Sequence, residues 1–167
     1  WVKTSGSKGL QMYVPLNSDT TYDSAHPFGR ALAQLAESEH PDLVVSVIER
    51  AQRRGKVLID WAQNAPSRTT VAAYSVRALP RPSVSTPVSW EEVDTAVESG
   101  DAGLLRFGPD AVLARLEDRG DLMAPLLEIS QSLPALRTGS RTGPGTTRRP
   151  APPPGASGPA PGPGRSG

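Results

Sequence analysis

Lys56-Val57-Leu58-Ile59-Asp60-Trp61-Ala62-Gln63-Asn64 is the stretch on which the reading of this chain turns. Val57, Leu58 and Ile59 make a short apolar run rich in β-branched side chains. A lysine precedes it and polar residues follow, which predicts a buried strand. A carboxylate at the end of such a strand is costly to bury without a cationic partner. Two readings of Asp60 follow. In one it caps a turn by accepting backbone N–H bonds. In the other it faces a divalent metal at the mouth of a sheet, with Gln63 and Asn64 as nearby polar contacts. The strand by itself leaves both open.

Upstream of the strand two helices are expected. Phe28, Ala31, Leu32 and Leu35 fall at i, i+3, i+4 and i+7, the stripe of an amphipathic helix, after a polar connection over 17–26. A second helix has Pro41 in its first turn and Leu43, Val44, Val47, Ile48 and Ala51 on one face. Arg50, Arg53 and Arg54 close it before Gly55; cations suit a helix C-terminus, and nucleic-acid contact is the alternative use for them.

At the N-terminus, Lys3-Thr4-Ser5-Gly6-Ser7-Lys8-Gly9 reads as a flexible loop with two lysines, and Leu10 to Val14 as a strand ended by Pro15. Glycines let backbone N–H groups approach an anion and lysine adds a point charge, so the loop is a candidate phosphate cradle. An ordinary hairpin turn is the competing reading. The spacing of a Walker A loop is absent.

Downstream, Thr69 to Arg77 predicts a second strand and Leu79 to Pro87 an extended, Pro-punctuated loop. Ser89-Trp90-Glu91-Glu92 is a capping box opening a short helix. Gly108-Pro109 introduces another, with Val112, Leu113 and Leu116 on one face and Gly120 at its end. Leu122 to Leu136 supplies a last apolar segment expected to pack back on the body. From Thr138 to Gly167 there is no Val, Ile, Leu, Met or aromatic residue, so 137–167 is expected to be a disordered tail or linker beside a domain over 1–136.

Composition narrows the chemistry. The chain has no cysteine, which rules out disulfides and thiolate metal sites, and His26 and His40 lie outside zinc-ligand spacing. No apolar run is long enough for a membrane-spanning helix. The net charge of +1 hides an asymmetry: +3 over residues 1–90, −7 over 91–136 and +5 over 137–167. Any contact with nucleic acid is therefore local to the first half or the tail. Trp1 stands where a methionine would begin a chain, with a motif-like segment directly behind it, which raises the expectation of a fragment cut from a larger domain.

Together the motifs resemble the polymerase domain of bacterial DNA ligase D, a branch of the archaeo-eukaryotic primase superfamily that acts in non-homologous end joining. The resemblance covers roughly residues 2–128. It rests on Lys3 to Leu10, Lys56 to Asn64, Thr69 to Arg77 and Val84 to Val93, in that order. It implies an α/β (α+β) fold, a partial primase-polymerase-like domain with a mainly antiparallel sheet flanked by helices. It makes Asp60 the third catalytic carboxylate, a ligand of the two Mg²⁺ or Mn²⁺ ions of nucleotidyl transfer. Ser5, Ser7, Lys8 and the residue at Gln11 become part of the triphosphate-holding loop and strand, with Gln63 and Arg77 as further phosphate-side contacts. The implied partners are a nucleoside triphosphate, DNA ends, a fused or separate DNA ligase domain and the end-binding Ku protein, in the bacterial cytoplasm at the nucleoid.

Two departures bear on activity. The family's paired metal-binding aspartates, Asp-x-Asp, lie upstream of the glycine loop and occur nowhere in these 167 residues. The family's histidine after Gly-Leu is here Gln11, which can hydrogen-bond but cannot become cationic. The metal ions are therefore expected only once an upstream half is present. The isolated chain is expected to lack polymerase activity. The alternatives are a non-catalytic nucleotide- or DNA-end-binding remnant and a truncated reading frame without function.

Overall fold

Val84, Thr86 and Val88 alternate as β-branched residues do along a strand, and the computed structural model buries all three. Residues 1–135 are described; the tail expected over 137–167 lies outside the described residues. The elements are β1 (Val2–Thr4), β2 (Leu10–Met12), α1 (Tyr22–Glu39), β3 (Val44–Val45), β4 (Val57–Leu58), β5 (Val76–Arg77), β6 (Ser83–Val84), β7 (Pro87–Val88), α2 (Trp90–Ser99) and α3 (Pro109–Arg119). Short 3₁₀ turns lie at Arg50–Arg53, Trp61–Gln63, Ala102–Leu105 and Ala124–Leu127. The expected mixed class is found. Strands β2, β1 and β7 form an antiparallel sheet in that order, β5 and β6 pair antiparallel, and β3 and β4 form a parallel pair. Among the described residues no helix is long and apolar enough to cross a membrane.

The core joins aliphatic side chains to a spine of hydroxyls. Val2, Ala33, Val45, Val84, Val88, Ala96 and Val112 are buried, and so are Thr4, Ser83, Ser85 and Thr86. A buried hydroxyl left without a partner costs on the order of 1–3 kcal/mol, and each of these has one. Ser85 Oγ donates to the Thr4 carbonyl at 2.8 Å, Thr86 Oγ1 to the Val84 carbonyl at 2.9 Å, and Ser83 Oγ to the Gly6 carbonyl. Thr4 Oγ1 accepts from the Thr86 N–H at 3.0 Å. Pro87, which has no N–H to give, sits opposite Lys3 on the sheet-edge strand β7.

The two later helices follow the expected signals. Ser89 Oγ accepts from the Glu92 N–H at 3.3 Å and the Ser89 N–H donates to Glu92 Oε2 at 2.9 Å, completing the capping box of α2. Helix α3 opens on Pro109 and ends at Gly120. Its Arg115 reaches back to Glu92 at 2.5 Å, donates to the Pro87 carbonyl at 3.2 Å and stacks on Phe107 with its guanidinium carbon 4.5 Å from the ring centroid. That guanidinium holds the Glu92 carboxyl below the usual carboxylate range.

Several expectations are corrected. The second helix, over Leu43 to Ala51, does not form: Val44 and Val45 pair in parallel register with Val57 and Leu58, and only Arg50–Arg53 turns helically. β-Branched residues fit that pleated pairing better than a helix. The central strand is short and not fully buried, since Val57 is exposed and Leu58 half-buried. Helix α1 starts earlier than expected and turns a different face inward. Ala33 is fully buried, whereas Leu32 and Leu35 are exposed. At Gly29 an added Cβ would stand 2.8 Å from Asn64 Nδ2 and 3.7 Å from Trp61 Cβ, so a small-residue face lets α1 lie close against the 3₁₀ turn after Asp60.

The strand over Thr69 to Arg77 shrinks to Val76–Arg77. Tyr74 takes φ +64°, and its N–H donates to the Ser85 carbonyl while its hydroxyl donates to Asp121, which bends the chain out of an extended path. The loop expected over Leu79 to Pro87 instead holds β6 and the start of β7. The segment after Leu122 returns to the body through polar bonds: Asn17 Nδ2 donates to the Leu126 and Ile129 carbonyls, and Leu127 stays exposed.

Candidate active site

The glycine loop is the turn of the β1–β2 hairpin. Its ends close by a Ser5 N–H bond to the Gly9 carbonyl at 2.8 Å. Ser5 Oγ accepts from the N–H groups of Ser7 and Gly9, at 3.2 and 3.1 Å. Those two donors are used inside the loop, so what it presents outward are the exposed side chains of Ser7 and Lys8. Gly6 has φ +66°, and a Cβ there would stand 2.6 Å from Arg77 Cγ and 2.9 Å from the Ser85 nitrogen. Only glycine lets the loop lie against β5 and β6 at this point. The loop expected over Lys3 to Gly9 is confined to residues 5–9, between β1 and β2, and the fold brings Arg77 to Gly6 from 71 residues away in the chain.

Lys3 corrects the picture of a loop with two free lysines. It belongs to β1, is 1% exposed, and stands opposite Gln11 of β2 in the hairpin register. Its ammonium donates to Gln11 Oε1 at 2.5 Å and to Ser85 Oγ at 2.6 Å, and lies 5.8 Å from the centroid of the Tyr13 ring. Burial, and next the Arg77 guanidinium, lower the Lys3 ammonium to about 8. The signal for this was present: a five-residue loop between two alternating segments sets residue 3 across from residue 11. Ser85 carried no such signal. Among the described residues no carboxylate forms an ion pair with Lys3, Lys8 or Arg77.

Asp60 and Gln63 lie on a second structure, the β3–β4 pair and the turn after it. Trp61 anchors that turn. Its Nε1 donates to the Ser46 carbonyl at 2.8 Å, the His26 ring meets it edge-on at 4.9 Å, and Arg30 lies over it at 5.3 Å. His26 Nδ1 donates to the Asn64 carbonyl at 3.1 Å. Asp60 is at the N-terminus of the turn but makes no capping bond, so the capping reading is not realised. Its exposed carboxylate accepts from Gln63 Nε2 at 3.0 Å. No hydrogen bond or ion pair among the described residues joins this pair to the glycine loop. A two-cation centre needs several carboxylate oxygens, and the described residues hold no group of three His, Asp or Glu side chains. By themselves they do not fit such a centre.

Comparison with known proteins places this geometry. A family model described as LigD, primase-polymerase domain, matches residues 1–123. Over 123 residues the chain is 42% identical to the multifunctional non-homologous end joining protein LigD of Mycolicibacterium smegmatis, covering 74% of this chain and 15% of that protein. The LigD DNA repair protein of Mycobacterium tuberculosis H37Rv is 40% identical over the same length. The solved polymerase domain of Mycobacterium tuberculosis ligase D in complex with DNA matches with a TM-score of 0.69 at 38% identity, covering 78% of this chain and 43% of that one. This chain thus spans less than half of the solved domain and a small part of the whole proteins. With the glycine hairpin, the strand ending in Asp60 and the Val84–Val93 segment all inside the matched span, the chain belongs to the LigD primase-polymerase domain family.

Proposed function

We propose that this chain supplies the triphosphate-holding side, and one metal-facing carboxylate, of a template-directed nucleotidyltransferase of non-homologous end joining. The observation that carries the reading is a glycine hairpin whose two cations, Lys8 exposed on the turn and Arg77 packed on Gly6, have no carboxylate partner among the described residues. Such a site attracts a polyanion and offers ammonium and guanidinium donors to phosphate oxygens. Ser5 and Ser7 add hydroxyl donors at the loop, and Gln11 adds an amide.

Asp60 is one hard oxygen ligand for Mg²⁺ or Mn²⁺, with Gln63 holding one of its oxygens. Further carboxylates must come from polypeptide other than the described residues. DNA ends are the second proposed ligand, and a DNA ligase domain and Ku the proposed partners in repair. A second reading, a non-catalytic nucleotide- or DNA-end-binding remnant, is favoured by the single carboxylate of the described site.

The first reading, and a nucleotide-binding remnant, require triphosphate binding, which calorimetry tests. The chain is expected to bind ATP, more weakly as salt rises, because exposed charges are screened over about 8 Å at physiological ionic strength. Lys8→Ala with Arg77→Ala is expected to weaken binding by about a hundredfold or more, since hydrogen bonds to charged groups contribute about 1.5–3 kcal/mol each. Equal affinity in wild type and double variant would leave the loop an ordinary hairpin turn.

A further inference from the structure

Gln11 has an amide that presents either an oxygen or an NH₂ group to whatever it faces. Toward a phosphate only the NH₂ is favourable, and an amide oxygen turned that way repels. We propose that Lys3 is a positioning residue that fixes the polarity of the Gln11 amide, so that Nε2 and not Oε1 meets a phosphate oxygen. The inference rests on the reading of the glycine hairpin as a triphosphate site and goes beyond it, because Lys3 is too deeply buried to touch the ligand.

The donor count makes the polarity unambiguous. An ammonium has three protons and accepts nothing, so the group that Gln11 turns to Lys3 must be its oxygen. That contact is 2.5 Å long and is set by the β1–β2 register, which places Lys3 directly across from Gln11. With Oε1 held on the Lys3 side, Nε2 points away from it and makes no hydrogen bond among the described residues, on a residue that is only half-buried.

Lys3 is itself held. Its second proton goes to Ser85 Oγ at 2.6 Å, and the Tyr13 ring lies within cation–π range of its ammonium. Ser85 is fully buried and bonded on every side: Oγ to the Thr4 carbonyl, N–H to the Ser75 carbonyl, and carbonyl to the Tyr74 N–H. The buried spine of β6 and the segment after it thus orients a half-exposed amide through one lysine.

The test is an NMR titration of the 167-residue chain with inorganic tripolyphosphate. It follows the Gln11 side-chain amide together with Ser7, Lys8 and Arg77. In wild type the Gln11 Nε2 signals are expected to move with the same affinity as the loop signals. Lys3→Met keeps most of the stem but loses the donors; it is expected to weaken binding about tenfold, the loss of one charge-assisted bond, and to abolish the Gln11 response. Gln11→Leu is expected to weaken binding too. In the Gln11→Leu background the further effect of Lys3→Met should be clearly smaller, which a merely structural or purely electrostatic lysine would not produce. Gln11→Glu, which turns an oxygen outward, should bind worse than Gln11→Leu.

Should Lys3→Met fail to fold, Ser85→Ala keeps the charge but removes the anchor, and it too is expected to reduce the Gln11 response. Movement of the loop signals with a silent Gln11, or additive effects of the two substitutions, would overturn this inference and leave the phosphate site standing. No movement anywhere would overturn both.

Discussion

Lys3 shows how much one residue's environment changes its meaning. As a letter in a Ser/Gly/Lys stretch it reads as a mobile charge, and in the fold it is a buried cation with neutral partners. Burial and Arg77 bring its ammonium from an ordinary 10.5 down to about 8. Below pH 8 both folded and unfolded chains hold the proton, and the buried charge opposes folding in full. Between about 8 and 10.5 the unfolded chain binds more protons than the folded one, so stability rises with pH across that window. The melting temperature of wild type, taken relative to Lys3→Met, is therefore expected to climb from pH 8 to pH 10. Tyr13 and Tyr74, both raised by burial, act in the opposite sense at higher pH but in wild type and variant alike. A constant offset between wild type and variant would mean that Lys3 titrates as it does in water.

Helix ends are the elements where local sequence decided the outcome. Ser89 and Glu92 satisfy each other's backbone N–H groups, and Arg115 ties that corner to α3. Ser89→Ala is expected to cost about 1 kcal/mol in urea unfolding, and a change within experimental error would show that Arg115 alone holds the corner. The same locality explains what was legible. Pro109, Gly120, the capping box and the β1–β2 hairpin are set by residues within a few positions of one another.

Segments whose partners are distant were not legible. Val44-Val45 becomes a strand only because Val57-Leu58 lies beside it. Ser83 to Pro87 becomes the buried spine only because β1, β5 and Phe107 take its backbone bonds. The buried face of α1 departs from the stripe of Phe28 to Leu35 because Gly29 and Ala33 give close approach, an advantage that hydrophobicity does not record. Of the candidate site, the sequence marked the loop, Asp60 and Arg77. The joining of Arg77 to the loop, and the roles of Lys3 and Ser85, depend on tertiary pairing.

At the scale of the whole molecule, the glycine hairpin and the exposed Asp60 carboxylate lie on separate strand pairs. Several large apolar side chains stand exposed as well, Met12 and Val14 at the β2 end and Val57 on β4 among them. Exposed apolar surface of this kind fits further protein packing on the domain. Asp60 and the glycine hairpin are expected to become a polymerase site only when more carboxylates join them. The most direct measurement is primer extension in Mn²⁺ by this chain alone and by the chain supplied, fused or in trans, with a LigD polymerase segment bearing Asp-x-Asp. The expectation is no extension alone, extension when the segment is supplied, and its loss on Asp60→Asn, which keeps the shape and removes the charge. Extension by the 167 residues alone, or full activity of Asp60→Asn in the completed domain, would contradict it.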